Sequence, residues 1–173
     1  TSIGIDVVKR TADRLARTIM ELGGKSPAIL LDDVDLDQAM ETLVGGSTGF
    51  MGQVCVNLSR ILAPKSRYDE IVDTLAERYK AIRLGDPLSG EVDQGPMSVD
   101  RGRDRAEAYV AGALREGAEI AAGGKRPQGF QCGYWYEPTL LRAVDNQMKV
   151  AREEVFGPVT IVIPYVGDAD ALA

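Results

Sequence analysis

The chain has 173 residues, 45% hydrophobic and 27% charged, a composition typical of one soluble globular domain with a substantial core. Its net charge of −6 argues against nucleic acids or anionic membranes as partners, and its apolar runs are too short to span a bilayer. It contains no histidine, which excludes Ser-His, Cys-His and His-ligated metal sites within the chain. Its two cysteines lack CxxC spacing, so neither a disulfide framework nor a zinc site is expected, and a reducing cytoplasm is the expected compartment.

Helical and extended patterns alternate along the chain. Apolar residues recur with helical spacing over 3–20, which predicts a first helix, and a Gly-rich break over 21–27 follows it. Further helices are predicted after Asp35, over 67–82 and over 101–116. Strands or extended segments are predicted over 28–31, 60–64, 118–122, 134–144, 147–151 and 159–166. This alternation favours an α/β layer fold around a mostly parallel sheet.

Cys55 follows a run of Gly, Ser and Thr and precedes the predicted strand at 60–64. A thiol in such a loop is accessible to a substrate, and a thiolate is a strong nucleophile even when only a modest fraction is ionised. The alternative is a small buried structural thiol, which is the commoner environment of a lone cysteine. Cys132, in a Gly-flanked loop, is expected to be incidental. Without histidine, any protein base in this chain is a carboxylate, a lysine or a tyrosine.

Three aspartates alternate over 33–37 like the start of a calcium-binding loop. Such a loop requires Gly at its sixth position and Glu at its twelfth, where this chain has Gln38 and Val44. We therefore interpret Asp35 as the N-cap of a helix and predict no metal site.

Three motifs together resemble the aldehyde dehydrogenase superfamily: Glu21–Pro27, Phe50–Cys55 and Glu153–Pro158. Shorter motifs, at 93–96, 116–118, 123–124 and 138–140, follow in the order and approximate spacing of the family. The resemblance covers essentially the whole chain. It implies the three-layer catalytic-domain fold of the family, with a mostly parallel sheet flanked by helices.

The resemblance also implies a division of the chain into domains. Residues 1–20 would be the end of the cofactor-binding domain, as a helix leading into the catalytic domain. Residues 21–173 would be the catalytic domain, truncated at its C-terminal end. The chain starts without Met, and family members extend beyond both of its ends, so we expect a fragment that is inactive alone and whose full-length parent is a homo-oligomer.

The roles of individual residues follow from the same resemblance. Cys55 matches the nucleophile, which attacks an aldehyde to give a thiohemiacetal and then a thioester. Glu21 matches the general base that activates water for hydrolysis of the thioester to the carboxylic acid. Glu154 matches the carboxylate that binds the nicotinamide ribose, Phe156 the aromatic side chain near the ring, and the carbonyl of Leu22 a neighbour of the nicotinamide amide. The expected cofactor is NAD or NADP, and the expected partner is a small aldehyde.

Other interpretations stay open from the sequence. Glu21 could end the first helix, and Glu154 could pair with Arg152 or another surface cation. The protein could be a relative that passes the thioester to coenzyme A, although a hydrolytic base such as Glu21 disfavours this. It could also be a catalytically silent binding or structural module on the same scaffold.

Overall fold

A computed structural model describes residues 2–172 of the chain. Six helices are present within this range, at α1 Ser2–Thr11, α2 Leu36–Thr48, α3 Tyr68–Lys80, α4 Asp100–Arg115, α5 Lys149–Arg152 and α6 Asp168–Ala171. The strands are β1 Pro27–Ile29, β2 Arg60–Pro64, β3 Glu119–Ala122, β4 Thr139–Arg142 and β5 Val159–Tyr165. Thr1 and Ala173, which the predicted domain bounds include, lie outside the described residues.

The five strands form one sheet in the order β1-β2-β5-β4-β3. All neighbouring pairs are parallel except β3 and β4, which are antiparallel. The two faces of the sheet are covered by different helices. One face packs against α4 and α5 through residues such as Val110 and Val150, and the other packs against α2 and α3 through residues such as Met40 and Leu75. The predicted three-layer α/β fold with a mostly parallel sheet is therefore confirmed.

Local signals determine the start of α2 as the sequence predicts. The carboxylate of Asp35 accepts a hydrogen bond from the main-chain N–H of Gln38 at 3.2 Å, which is the N-cap contact. The run of Gly, Ser and Thr that precedes Cys55, however, is not a loop. Most of it forms the last turns of α2, and the side chain of Ser47 is fully buried there.

The prediction of one helix over 3–20 is wrong at its C-terminal end. The helix α1 ends at Thr11, and a single 3₁₀ turn then closes at Leu15, whose φ of 49° is left-handed. Residues 16–26 have no regular secondary structure. The helical spacing of apolar residues continues to Ile19, but Leu15 and Ile19 are 92% and 93% exposed, so no packing supports a longer helix.

Two of the predicted extended segments also differ from the structure. The segment 147–151 was predicted to be extended, but Lys149–Arg152 forms α5, because a short apolar run does not distinguish a strand from a buried helical turn. Of the segment 134–144, only Thr139–Arg142 is a strand.

Candidate active site

The three motifs lie at the same edge of the sheet. Glu21–Pro27 leads into β1, Phe50–Cys55 precedes β2, and Glu153–Pro158 leads into β5. These three strands are neighbours and run parallel, so their amino ends meet at one edge. The motifs consequently close on each other, and the cleft that residues such as Gly24, Asn57 and Glu154 line between them has a volume of only about 10 Å³.

Cys55 lies in a tight turn in front of β2. The turn is closed by a hydrogen bond of 3.1 Å from the N–H of Asn57 to the carbonyl of Val54. The thiol of Cys55 is free and the residue is exposed, which excludes the alternative of a buried structural thiol. Within residues 2–172 the main-chain N–H of Cys55 donates no hydrogen bond, so this donor is available to a ligand.

The backbone before Cys55 is strained. Phe50 and Met51 have φ values of 51° and 56°, in the left-handed region that side chains disfavour by about 1–2 kcal/mol per residue. Gly52 continues the turn with a φ of 65° and also requires glycine for space, because a Cβ there would lie 2.1 Å from the carbonyl oxygen of Gly157. The strained turn thus brings the motif before β2 against the motif before β5.

Two glycines let the segment before β1 pass between Cys55 and Glu154. A Cβ on Gly23 would lie 1.8 Å from Oε2 of Glu154, and a Cβ on Gly24 would lie 2.5 Å from the carbonyl oxygen of Cys55. The N–H of Gly24 donates a hydrogen bond of 3.2 Å to Oε1 of Glu154. At Gly24 the obstacle is backbone, so only glycine fits, whereas a side chain at Gly23 would have to displace the Glu154 carboxylate. The glycine pair thus lets all three motifs come into contact.

The other predicted site residues lie around this contact. Glu21 is exposed, and among residues 2–172 its side chain has no hydrogen bond or ion pair. It lies ten residues beyond the end of α1, so the alternative that it ends a helix is excluded. The side chain of Leu22 lies against Gly4 of α1 and is 41% exposed. Phe156 is 45% exposed and has a left-handed φ of 54°, which turns the chain immediately before Gly157 and Pro158.

Glu154 is half-buried, and its side chain forms no ion pair with Arg152 or with any other cation of the described range. The alternative of a surface ion pair is therefore excluded there. Its main-chain carbonyl accepts a hydrogen bond from the guanidinium group of Arg105 in α4. The side chain of Glu154 is thus held by the main chain of Gly24, and the backbone of Glu154 is held by Arg105 of α4.

Lys25 follows the glycine pair, and its Nζ atom is buried. Burial is the largest cause that lowers the pKa of Lys25 to about 8, repulsion by Arg60 lowers it further, and attraction by Glu154 raises it. Arg60 itself donates to the main-chain carbonyl of Lys25 at 3.1 Å. The main chain directly after Gly23-Gly24 is therefore joined to Arg60 of β2. The ammonium group of Lys25 binds its proton less tightly than that of an ordinary lysine.

Sequence reasoning missed several residues that support this site. Arg105 is one of several arginines in α4, and nothing in its spacing distinguishes it from the others. Gln94 donates to Thr48 and accepts from the main chain of Met51, and Gln53 accepts from Ser98. The motif 93–96 was part of the resemblance, but only the fold shows that its glutamine reaches the turn before Cys55.

Other features of the described range lie apart from this site. A cavity of about 570 Å³ lies between α2 and the end of α3 and includes none of the predicted site residues. Over residues 2–172 no helix has the length and apolar character needed to cross a membrane. No cluster of three or more His, Cys, Asp or Glu side chains in the same range could hold a metal ion.

Comparison with known proteins places the chain in a family. The family model described as "Aldehyde dehydrogenase family" matches residues 1–173. A 3,6-anhydro-alpha-L-galactose dehydrogenase of Vibrio sp. (strain EJY3) is 40% identical over 95% of the chain and 35% of its own length.

Solved structures agree with this match. An aldehyde dehydrogenase of Mycobacterium tuberculosis complexed with NAD+ is 43% identical, with a TM-score of 0.93 over 99% of this chain and 35% of that one. A betaine aldehyde dehydrogenase of Staphylococcus aureus in complex with NAD+ is 36% identical, with a TM-score of 0.94 over 99% of this chain and 34% of that one. The chain therefore spans about a third of the length of the relatives that it matches. On its family match and its fold, the chain belongs to the aldehyde dehydrogenase family.

Proposed function

We propose that this chain is the catalytic part of an NAD(P)-dependent aldehyde dehydrogenase, which oxidises an aldehyde to a carboxylic acid. The observation that supports this function best is the contact of three motifs at one sheet edge. There the Gly23-Gly24 segment lies between the carboxylate of Glu154 and the main chain of the exposed Cys55. Cys55, the proposed nucleophile, and Glu154, the carboxylate proposed to bind the cofactor, thus lie on opposite sides of one short segment.

Cys55 is proposed as the nucleophile. Its thiolate attacks the carbonyl carbon of the aldehyde, a C–S bond forms, and the carbonyl oxygen becomes the oxyanion of a thiohemiacetal. The main-chain N–H of Cys55, which has no other acceptor within residues 2–172, can donate to this oxyanion. A preorganised donor of this kind contributes on the order of 10²–10³ in rate at other oxyanion sites.

Glu21 is proposed as the general base for the second half of the reaction. It removes a proton from water, the hydroxide attacks the thioester, and the acid leaves as the sulfur of Cys55 is released as thiolate. An exposed carboxylate without an ion pair in the described range is free to reach water. Its position three residues before Gly24 places it on the segment that contacts Cys55.

Glu154, Phe156 and the carbonyl of Leu22 are proposed to hold the nicotinamide part of the cofactor. The residues fit this group, since a carboxylate anchored by Gly24 adjoins an exposed aromatic side chain on the same short segment. A carboxylate can accept hydrogen bonds from ribose hydroxyls, and an aromatic side chain can cover a ring. When bound, the cofactor supplies the acceptor for the hydride that leaves the substrate carbon.

The arrangement of the whole protein is part of the proposal. We assign residues 1–20 to the end of a cofactor-binding domain and residues 21–173 to the catalytic domain. In support, α1 exposes the apolar side chains of Ile3, Ile5 and Val8, and only its Gly4 is buried. An adjoining domain would cover this apolar surface. The whole protein is further proposed to be a cytoplasmic homo-oligomer. Sedimentation of the full-length protein measures its oligomeric state.

The assignment of the nucleophile is tested by a matched pair of cysteine variants. In the enzyme that contains this chain, Cys55→Ala should lower aldehyde-dependent cofactor reduction by at least about 10³-fold, because no other nucleophile replaces the sulfur. Cys132→Ala, at the other exposed cysteine, should leave the rate unchanged. A measurable wild-type rate that Cys55→Ala leaves unchanged would overturn Cys55 as the nucleophile, and no activity in the wild type would favour a catalytically silent module.

The assignment of Glu21 is tested by Glu21→Gln, which keeps the shape of the side chain and removes its basicity. We expect a first burst of reduced cofactor close to one equivalent per site, followed by a steady-state rate reduced by about 10²–10⁴-fold. The product decides between the two enzymatic alternatives. If the wild type requires coenzyme A and releases a coenzyme A thioester, the acylating alternative replaces hydrolysis.

A further inference from the structure

The turn before Cys55 needs support from outside its own segment. Phe50, Met51 and Gly52 lie in succession in the left-handed region, with φ values of 51°, 56° and 65°. A single left-handed residue is common at turns, but successive non-glycine residues persist only where their surroundings hold them. The hydrogen bonds from Gln53 to the carbonyl of Phe50, at 3.2 Å from its main chain and 3.0 Å from its side chain, are local to the turn.

The side chain of Gln94 supplies long-range support. Its Oε1 accepts a hydrogen bond of 3.2 Å from the main-chain N–H of Met51, the central residue of the left-handed stretch. Its Nε2 donates a hydrogen bond of 2.9 Å to the hydroxyl of Thr48 at the end of α2. The hydroxyl of Thr48 donates in turn to the carbonyl of Val44 at 2.7 Å, so both ends of the amide have fixed partners.

The segment that carries Gln94 is itself anchored. The main chain of Gln94 donates to the carbonyl of Arg83 at 3.2 Å and accepts from the N–H of Gly85 at 3.0 Å. Next to it, the carboxylate of Asp93 accepts hydrogen bonds of 3.1 Å and 2.9 Å from the guanidinium group of Arg83. Gln94 is therefore presented to the turn from a fixed backbone, which limits the freedom of the turn to relax.

A second contact holds the same turn from the other end of this segment. Oε1 of Gln53 accepts from the N–H of Ser98 at 3.1 Å and from its hydroxyl at 2.7 Å. Gln53 lies two residues before Cys55. The stretch from Arg83 to Ser98 thus contacts the residues before Cys55 at two points. Of these two contacts, only that of Gln94 is a hydrogen bond to the main chain of a left-handed residue.

We propose that Gln94 is a positioning residue for Cys55: its amide holds the left-handed turn over Phe50–Gly52 and thereby orients the turn that presents the thiol. This inference rests on the proposed function, in which Cys55 is the nucleophile. Gln94 acts through the backbone and is not itself a catalytic residue. Its removal should alter the reactivity of one cysteine and leave the other unchanged.

The test is alkylation of the chain with iodoacetamide, resolved by site with peptide mass spectrometry across neutral pH. Cys132 is an internal reference, because it is exposed and lies outside the contacts described here. Gln94→Leu keeps the approximate size of the side chain and removes both hydrogen bonds. We expect it to lower the ratio of the Cys55 rate to the Cys132 rate by about two- to tenfold, the range for loss of the one hydrogen bond that reaches the main chain of Met51, and to change how the Cys55 rate depends on pH.

Three further variants separate positioning from folding. Gln94→Glu keeps the acceptor for the N–H of Met51 and should restore most of the ratio at high pH, where an added negative charge no longer affects thiol ionisation. Gln128→Leu, the same substitution at an exposed residue, should leave the Cys55 rate unchanged. Thr48→Val removes the hydroxyl that fixes the amide of Gln94, and it should lower the ratio in the same direction. Thermal unfolding of each variant reports whether the chain is folded.

The outcomes distinguish this inference from the proposed function. If Cys55 of the wild type reacts no faster than Cys132, the turn does not organise the thiol in this chain and the role of Gln94 is overturned, while the nucleophile assignment is still decided by Cys55→Ala in the whole enzyme. If Cys55 is the faster residue and a folded Gln94→Leu variant keeps the wild-type ratio, only the role of Gln94 is overturned. If Gln94→Leu does not fold, the Thr48→Val variant decides, and an unchanged ratio in that variant overturns the role of Gln94.

Discussion

The Nζ atom of Lys25 is buried and, within residues 2–172, has no hydrogen-bond partner. Burial, followed by repulsion from Arg60, lowers the pKa of Lys25 from 10.5 to about 8 in the folded chain. The unfolded chain binds this proton more tightly, so Lys25 destabilises the fold at every pH below about 8. Between about pH 8 and 10.5 the folded chain loses the proton first, and this destabilisation disappears.

Lys25→Met should therefore raise the free energy of unfolding at neutral pH, by on the order of 1–3 kcal/mol, and remove the rise in stability above about pH 8. Urea unfolding at neutral pH and near pH 10 measures both effects. Lys125→Met is the matched control at an exposed lysine and should change the free energy by less than about 0.5 kcal/mol at either pH. A loss of stability in Lys25→Met at neutral pH would show that the ammonium group has a compensating partner.

At the scale of elements, the contact between the segment before β1 and the turn before β2 depends on backbone space. A Cβ on Gly24 would lie 2.5 Å from the carbonyl oxygen of Cys55, which is backbone and cannot rotate away. Gly24→Ala should therefore displace one of the two segments and lower the free energy of unfolding by about 1–3 kcal/mol. Because Cys55 moves with its carbonyl, its alkylation rate should also change.

Gly45→Ala provides the control for this prediction. Gly45 lies inside α2, and a Cβ there would have no atom within 4 Å. Alanine is the better helix former, so this variant should be more stable than the wild type by up to about 1 kcal/mol. Urea unfolding of both variants measures the difference in sign, and a similar loss in both would contradict the space requirement at Gly24.

At the scale of the whole molecule, one sheet separates two cores, and β5 contributes to both. Ile161 is fully buried in the core beneath α4, while the adjacent Val162 is fully buried in the core beneath α2 and α3. Ile161→Ala should lower the free energy of unfolding by about 2–5 kcal/mol, because it leaves a cavity at the centre of the sheet. Since β5 links the two cores, Trp135 fluorescence and far-UV circular dichroism should report one coincident transition.

Ile19→Ala is the same substitution at a side chain that is 93% exposed, and it should change the free energy by less than about 0.5 kcal/mol. Separate transitions for the two probes in Ile161→Ala would show that the cores unfold independently. A large effect of Ile19→Ala would show that the segment 16–26 is packed in solution.

Much of the fold could be predicted from local pattern. The periodicity around Leu75 and Val110 predicted α3 and α4, because a helix needs only neighbours three and four residues apart. The same periodicity was misleading up to Ile19, where the apolar stripe has nothing to pack against. The motif residues were recognised from sequence, but their roles are inferred from resemblance and stay predictions until the variants of Cys55 and Glu21 are measured.

By itself, the sequence determined the elements with strong periodicity, the cap at Asp35 and the three motifs that identify the family. Only the tertiary structure decided that β1, β2 and β5 are neighbours, which brings these motifs together at the amino ends of the strands. Parallel α/β sheets more often bind ligands at the opposite, carboxyl ends, so that general rule would not have predicted where these motifs meet. The tertiary structure likewise decided that the side chain of Gln94 accepts a hydrogen bond from Met51, which is 43 residues away. The physical reason is that helices and caps depend on near neighbours in the chain, whereas strand order and such contacts depend on how the two cores pack.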